Sequence, residues 1–146
     1  MRLRLGGGPG GVDPDAVARA EAALKSLSAN FGAWLEEEIV KLEAAGRTIR
    51  EAGLTAESGE GVYLRAHDLK GLGTTYEFPL ISRIAASLCR LVEKPEGRAS
   101  APPGLIDAHI AAIRTAARDG IRSDAEPAGA AMVTELETRT NAHLAG

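Results

Sequence analysis

Aromatic residues, cysteine and long apolar runs are scarce in this chain, and neither sign of charge dominates it. Two Phe, two Tyr and one Trp make up 3% of 146 residues. A core must therefore come from Leu, Ile, Val and Ala, which suits packed helices. The single cysteine, Cys89, has no partner for an internal disulfide, and Cys-x-x-Cys zinc or redox patterns are absent. No apolar run approaches the roughly 20 residues that span a bilayer, and Met1-Arg2-Leu3-Arg4-Leu5 runs into glycines rather than an apolar leader core. Seventeen Lys and Arg against twenty Asp and Glu leave a net charge of −3. That balance offers no basic field for nucleic acid or an anionic membrane. The expectation is one cytoplasmic domain, too small for a nucleotide-binding fold with a large cleft.

What the chain does have is helical periodicity. After the glycine-rich stretch of residues 6–11, Asp13-Pro14 reads as a helix start, with Asp13 as cap and Pro14 in the first turn. Val17, Leu24, Leu27 and Phe31 then recur at helical spacing. Phe31, Leu35, Ile39, Leu42 and Ile49 continue it, opposite a charged side that includes Glu36, Glu37, Lys41, Glu43, Arg47 and Arg50. Asn30-Phe31-Gly32 is expected to break these into two helices. Gly53 ends the second and Thr55 caps the next, whose stripe is Val62, Ala66, Leu69, Gly73 and Tyr76. Leu80, Ile84, Leu88 and Leu91 mark a helix over 78–93, stopped by Lys94-Pro95-Glu96-Gly97. Ile106, Ile110 and Ile113 mark another from Pro102-Pro103 to Gly120. A weaker stripe follows from Glu126 to about Leu144.

The expected fold is all-α: an antiparallel up-and-down four-helix bundle over 32–52, 57–74, 78–93 and 103–119, with additional N- and C-terminal helices. Residues 1–12 would be a flexible arm, 13–122 the bundle, and 123–146 a peripheral helix and tail.

Three histidines are candidates for chemistry. His143 lies near the end of the last helix and His109 beside an apolar stripe, where a structural or partly exposed role is the simpler reading. His67 directly follows the buried-stripe residue Ala66 and is rotated about 100° from it, toward solvent. Tyr63, Lys70, Gly71 and Thr74 share its side, which also reaches Leu64. An exposed imidazole, neutral in large part at physiological pH, is a usable nucleophile. Lys70, three positions on, can reach toward negative charge on the ring. Gly71, four positions on, leaves the surface open to a bulky donor or another protein. No His-x-x-x-His or Glu-x-x-His pair suggests a metal site, and the glycine-rich start lacks the Gly-Lys-Ser/Thr ending of a phosphate loop. Glu36-Glu37-Glu38 reads as a solvated face, and Cys89 as a small, partly buried apolar residue.

The string Ala66-His67-Asp68-Leu69-Lys70-Gly71 resembles the histidine-containing phosphotransfer (HPt) domain motif, His-x-Leu-Lys-Gly. The resemblance continues through Phe78-Pro79-Leu80 and Ile84-Ala85-x-x-Leu88-Cys89-x-x-Val92-Glu93. It implies that His67 is a phospho-acceptor exchanging a phosphoryl group with an aspartate of a response-regulator receiver domain, including those of hybrid histidine kinases. Lys70 would then assist electrostatically and Gly71 would keep the approach clear. Tyr63, Leu64, Thr74 and Glu77 would contact the partner. The protein would be a monomeric phosphorelay intermediate without kinase activity, and the partner would supply the Mg²⁺. One departure stands out: the family usually has glycine ten residues after the histidine, where this chain has Glu77. The alternative is a non-catalytic adaptor that binds a receiver domain or another protein through the same surface. A third reading leaves the histidine inert and has a terminal helix mediate dimerisation.

Overall fold

The computed structural model describes residues 12–146; the expected arm falls almost wholly on residues 1–11, outside the described residues. Six helices are present among the described residues: α1 (Pro14–Ala52), α2 (Ala56–Thr75), α3 (Pro79–Val92), α4 (Pro95–Arg98), α5 (Pro103–Asp119) and α6 (Pro127–Ala145). They form the expected antiparallel up-and-down arrangement with extra terminal helices. No helix among the described residues is long and apolar enough to cross a membrane.

The chain divides into two compact units, Met1–Ala33 and Trp34–Gly146. In the first, Asp13 caps α1 as expected, its Oδ1 accepting from the Asp15 amide at 3.0 Å. Val17, Leu24 and Leu27 are exposed there. The break expected at Asn30-Phe31-Gly32 does not occur, and α1 is assigned as one helix. One interior glycine costs only about 1 kcal/mol relative to alanine, and Ala29, Ala33 and Leu35 within one turn of it are good helix formers.

In the second unit α3 is the central element. Nine of its fourteen residues are buried, because α2, α5 and α6 all pack on it. Leu35, Ile39, Leu42 and Ile49 of α1 join the same core. Around it, ion pairs tie helices distant in sequence. Arg114 of α5 holds Glu43 and Glu36 of α1 through paired hydrogen bonds of 2.6–3.0 Å. The paired guanidinium keeps the Glu43 carboxyl below its ordinary range. Glu36 is therefore not merely solvated. Arg83 of α3 likewise forks onto Glu137 of α6 at 2.8 Å and reaches Asp124 at 2.7 Å.

The start of α2 is a reciprocal cap. The Thr55 hydroxyl accepts from the Ser58 amide at 3.1 Å, and the Ser58 hydroxyl accepts from the Thr55 amide at 2.9 Å. Gly59, unexplained by sequence, lets Arg98 lie across α2: a Cβ there would sit 2.9 Å from the Arg98 Cβ. Buried Arg98 donates to the Val92 carbonyl at 2.6 Å and stacks its guanidinium 5.7 Å from the Tyr63 ring centroid. The expected stop at Lys94–Gly97 thus ends α3, but it also makes the single turn α4, whose arginine satisfies carbonyls at the end of α3.

Between α2 and α3 the chain turns through a Schellman motif. The Phe78 amide reaches the Gly73 carbonyl at 2.7 Å, and the Glu77 amide reaches that of Thr74 at 3.1 Å. That geometry needs a left-handed residue, and Glu77 supplies it with φ of 70°. The position where the resembled family has glycine is therefore one whose backbone favours glycine. Arg122 holds the turn: it donates to the Glu77 carbonyl at 3.0 Å, lies 3.7 Å from the Glu77 carboxylate, and covers the Phe78 ring at 4.5 Å. One turn earlier, Gly73 lets α3 approach closely, since a Cβ there would lie 2.6 Å from the Ser82 amide nitrogen.

Three stability changes follow. Replacing Glu77 with Gly should stabilise the protein by about 0.5–1 kcal/mol, because left-handed strain of about 1–2 kcal/mol exceeds the added chain entropy of glycine. Urea unfolding checks it, and a loss of stability would contradict the strain. Gly73→Ala should cost about 1–3 kcal/mol by overpacking against backbone. Gly71→Ala, with open space at its Cβ, should be neutral or stabilising by up to about 1 kcal/mol in the same assay.

Candidate functional site

Helix α2 presents its solvent face along its middle. Val62, Ala66 and Leu69 turn into the core, which sets the rotation of every residue between them. His67 is exposed, and its ring lies 5.8 Å from that of half-buried Tyr63 one turn earlier. Leu64 is 55% exposed on the neighbouring ridge. Lys70 and Gly71 are also exposed, and nothing lies within 4 Å of a Cβ built at Gly71. Asp68, read as solvated surface, faces Arg65 at 4.0 Å. Tyr63, Leu64, His67, Lys70 and Gly71 therefore lie on one continuous surface.

Thr74 and Glu77 are held differently. The Thr74 hydroxyl donates to the Ser82 hydroxyl at 3.2 Å, and its amide donates to the same oxygen at 2.8 Å. Glu77 lies ten residues beyond His67, past the end of α2, and its carboxylate lies 3.7 Å from Arg122. Thr74 lies in the last turn of α2 and Glu77 in the α2–α3 connection.

The histidine around which the fold builds a hydrogen-bonded setting is His109, on α5. It is buried. Its Nδ1 lies 2.7 Å from the Leu105 carbonyl, which can only accept, so Nδ1 carries the proton and Nε2 accepts. Ser87 of α3 and Thr140 of α6 place hydroxyls 2.9 and 3.3 Å from Nε2 and 2.9 Å from each other. One hydroxyl donates to the nitrogen and the other to its neighbour's oxygen. Neither ring nitrogen is open to a partner. Burial pushes the imidazole pKa below its ordinary value, partly opposed by the bond to Leu105.

These findings correct the phosphorelay expectation. The histidine whose tautomer and orientation are fixed is inaccessible to a receiver domain. His67 is exposed, but its ring contact is with Tyr63, and among the described residues no hydrogen-bonding group orients its imidazole as P-N chemistry at a defined nitrogen would use. No group of His, Cys, Asp or Glu that could hold a metal ion occurs among the described residues. A phosphohistidine relay activity, and the description of the chain as a phosphotransfer phosphoprotein, are accordingly not upheld.

Burial decides the role of the lone thiol. Cys89 is buried, free, and its thiol is pushed up to about 11 by desolvation, so it is a packing residue. Trp34 lies with its ring 6.0 Å from that of Tyr76. A cleft of about 770 Å³ lies at the far end of α3, lined in part by Arg90, Lys94 and His143, and contains none of the exposed α2 residues. Sequence reading missed Ser82, Arg98, Arg122 and the Ser87–Thr140 pair. Of these, the two serines within the apolar helix α3, Ser82 and Ser87, carried a signal.

No protein-family model matches the chain, and neither a curated protein nor a solved structure matches it. Among the described residues the structure is all-α, with six helices, and is compatible with a helical-bundle signalling module.

The His109 network makes pH a probe of the core. Its pKa is lowered in the folded state, so the unfolded chain binds the proton more readily, and the neutral ring's contribution is present above about pH 6.5 and lost as pH falls through the folded value. The stability difference between wild type and His109→Gln should shrink below that pH by up to about 1.4 kcal/mol per pH unit. Parallel denaturation profiles for the two proteins from pH 7 to 5 would contradict it.

Proposed function

We propose that the chain is a cytoplasmic protein-docking module of HPt-like build, an adaptor that binds a receiver domain or similar partner through the exposed face of α2. The observation that carries this reading is the pairing of exposed Leu64 with bare Gly71 on one surface. An apolar side chain beside an open glycine lets a partner's backbone or side chain approach closely. Lys70 and the Arg65–Asp68 pair supply the polar rim that such interfaces carry. The HPt-like build is supported by the His67-Asp68-Leu69-Lys70-Gly71 string on a solvent-facing helix and by the left-handed backbone at Glu77. In this reading His67 contributes contact area with Tyr63, and docking does not require phosphate.

The test is calorimetric titration of the full chain with a panel of purified receiver domains. For a receiver that binds, Leu64→Asp and Gly71→Arg should each weaken affinity at least about tenfold, roughly 1.4 kcal/mol or more. His67→Gln should stay within about threefold. Equal binding by all three variants would remove this face as the site. Loss of binding in His67→Gln, together with a phosphate mass increment on His67 after phosphoramidate treatment of wild type, would overturn the non-catalytic reading.

A further inference from the structure

The N-terminal half of α1 carries an apolar stripe of its own. Val17, Ala20, Leu24 and Leu27 are separated by three, four and three residues, and all four are exposed, Leu24 to 67%. This is the heptad spacing of a knobs-into-holes seam, which calls for another helix rather than a sheet or a small molecule. A lone helix in water gains nothing from displaying leucines at these intervals.

We propose that this stripe is the contact between two copies of the chain, which pair helix to helix about a two-fold axis. Three features favour a second copy. An a/d stripe is complementary to itself, as an isologous interface requires. The charges on this stretch of α1 are Asp15, Arg19, Glu21 and Lys25, two of each sign, so two copies do not repel each other. The positions flanking the stripe include Ala16, Ala23 and Ser28, small side chains that let two helix backbones come close, and Glu21 is the one charge beside it. The seam from Val17 to Leu27 is only about 15 Å long, which places the contact at the small end of specific interfaces. The dimer therefore forms and dissociates with concentration, in contrast to the monomer expected from the resemblance.

Sedimentation equilibrium of the full chain, over a dilution series into the high micromolar range, tests this directly. Wild type should pass from monomer to dimer mass with a dissociation constant on the order of micromolar. The Leu24→Lys, Leu27→Lys double variant should remain monomeric, with dimerisation weakened at least about 100-fold and, at dilutions where wild type is monomeric, an unchanged circular dichroism melt, since both side chains are exposed. Leu24→Ile in wild-type background should keep the dimer. A wild type that stays monomeric throughout would overturn the proposal and leave the stripe to a different helix. A dimer that persists in the double-lysine variant would overturn it too, by placing the contact elsewhere.

Discussion

The close approach of α2 and α3 at Gly73 is the constraint on which the second unit depends. With no side chain at Gly73, the first turn of α3 lies against the last turn of α2, and the Ser82 hydroxyl accepts the Thr74 amide at 2.8 Å. The Schellman turn closes that corner, and Glu77 accepts a left-handed backbone to do so. Leu80 then donates to the Arg122 carbonyl at 2.8 Å, which ties the α5–α6 connection to the same corner. Once this corner is set, the rotation of α2 follows, because Val62, Ala66 and Leu69 must face α3's apolar side. His67, Leu64 and Gly71 are on the outside for that reason.

At the opposite side of α3 the design is different. Apolar packing is interrupted by one polar knot, His109 with Ser87 and Thr140, joining α3, α5 and α6. A buried polar group costs free energy unless its partners are in place, so this knot specifies one mutual arrangement of three helices more sharply than apolar contact alone. It also explains why the buried histidine is structural. Its Nδ1 donates to a carbonyl and its Nε2 accepts from one hydroxyl, with no capacity left for a reacting group.

The histidine-motif resemblance illustrates how far a short string reaches. His67-Asp68-Leu69-Lys70-Gly71 lies on a solvent-facing helix, as its periodicity required. Function does not follow from exposure alone, because chemistry at an imidazole depends on what orients it. The residues that orient an imidazole in this chain converge on His109, from three helices, 22 and 31 positions away in sequence. No spacing rule links them.

Periodicity, caps and punctuation sufficed for α2, α3, α5 and α6 and for the rotation of their faces. Apolar stripes, Thr55, Gly53 and Gly120 act through neighbours within one or two turns, and such local physics is written in consecutive residues. The continuous α1 was less legible, since a single glycine weakens a helix without deciding whether it ends. The partnering of Arg98, Arg114 and Arg122, the burial of His109 and the left-handed Glu77 were decided only by tertiary structure. Long flexible cations and a forced turn take their roles from groups that packing, not sequence proximity, brings within a few ångströms.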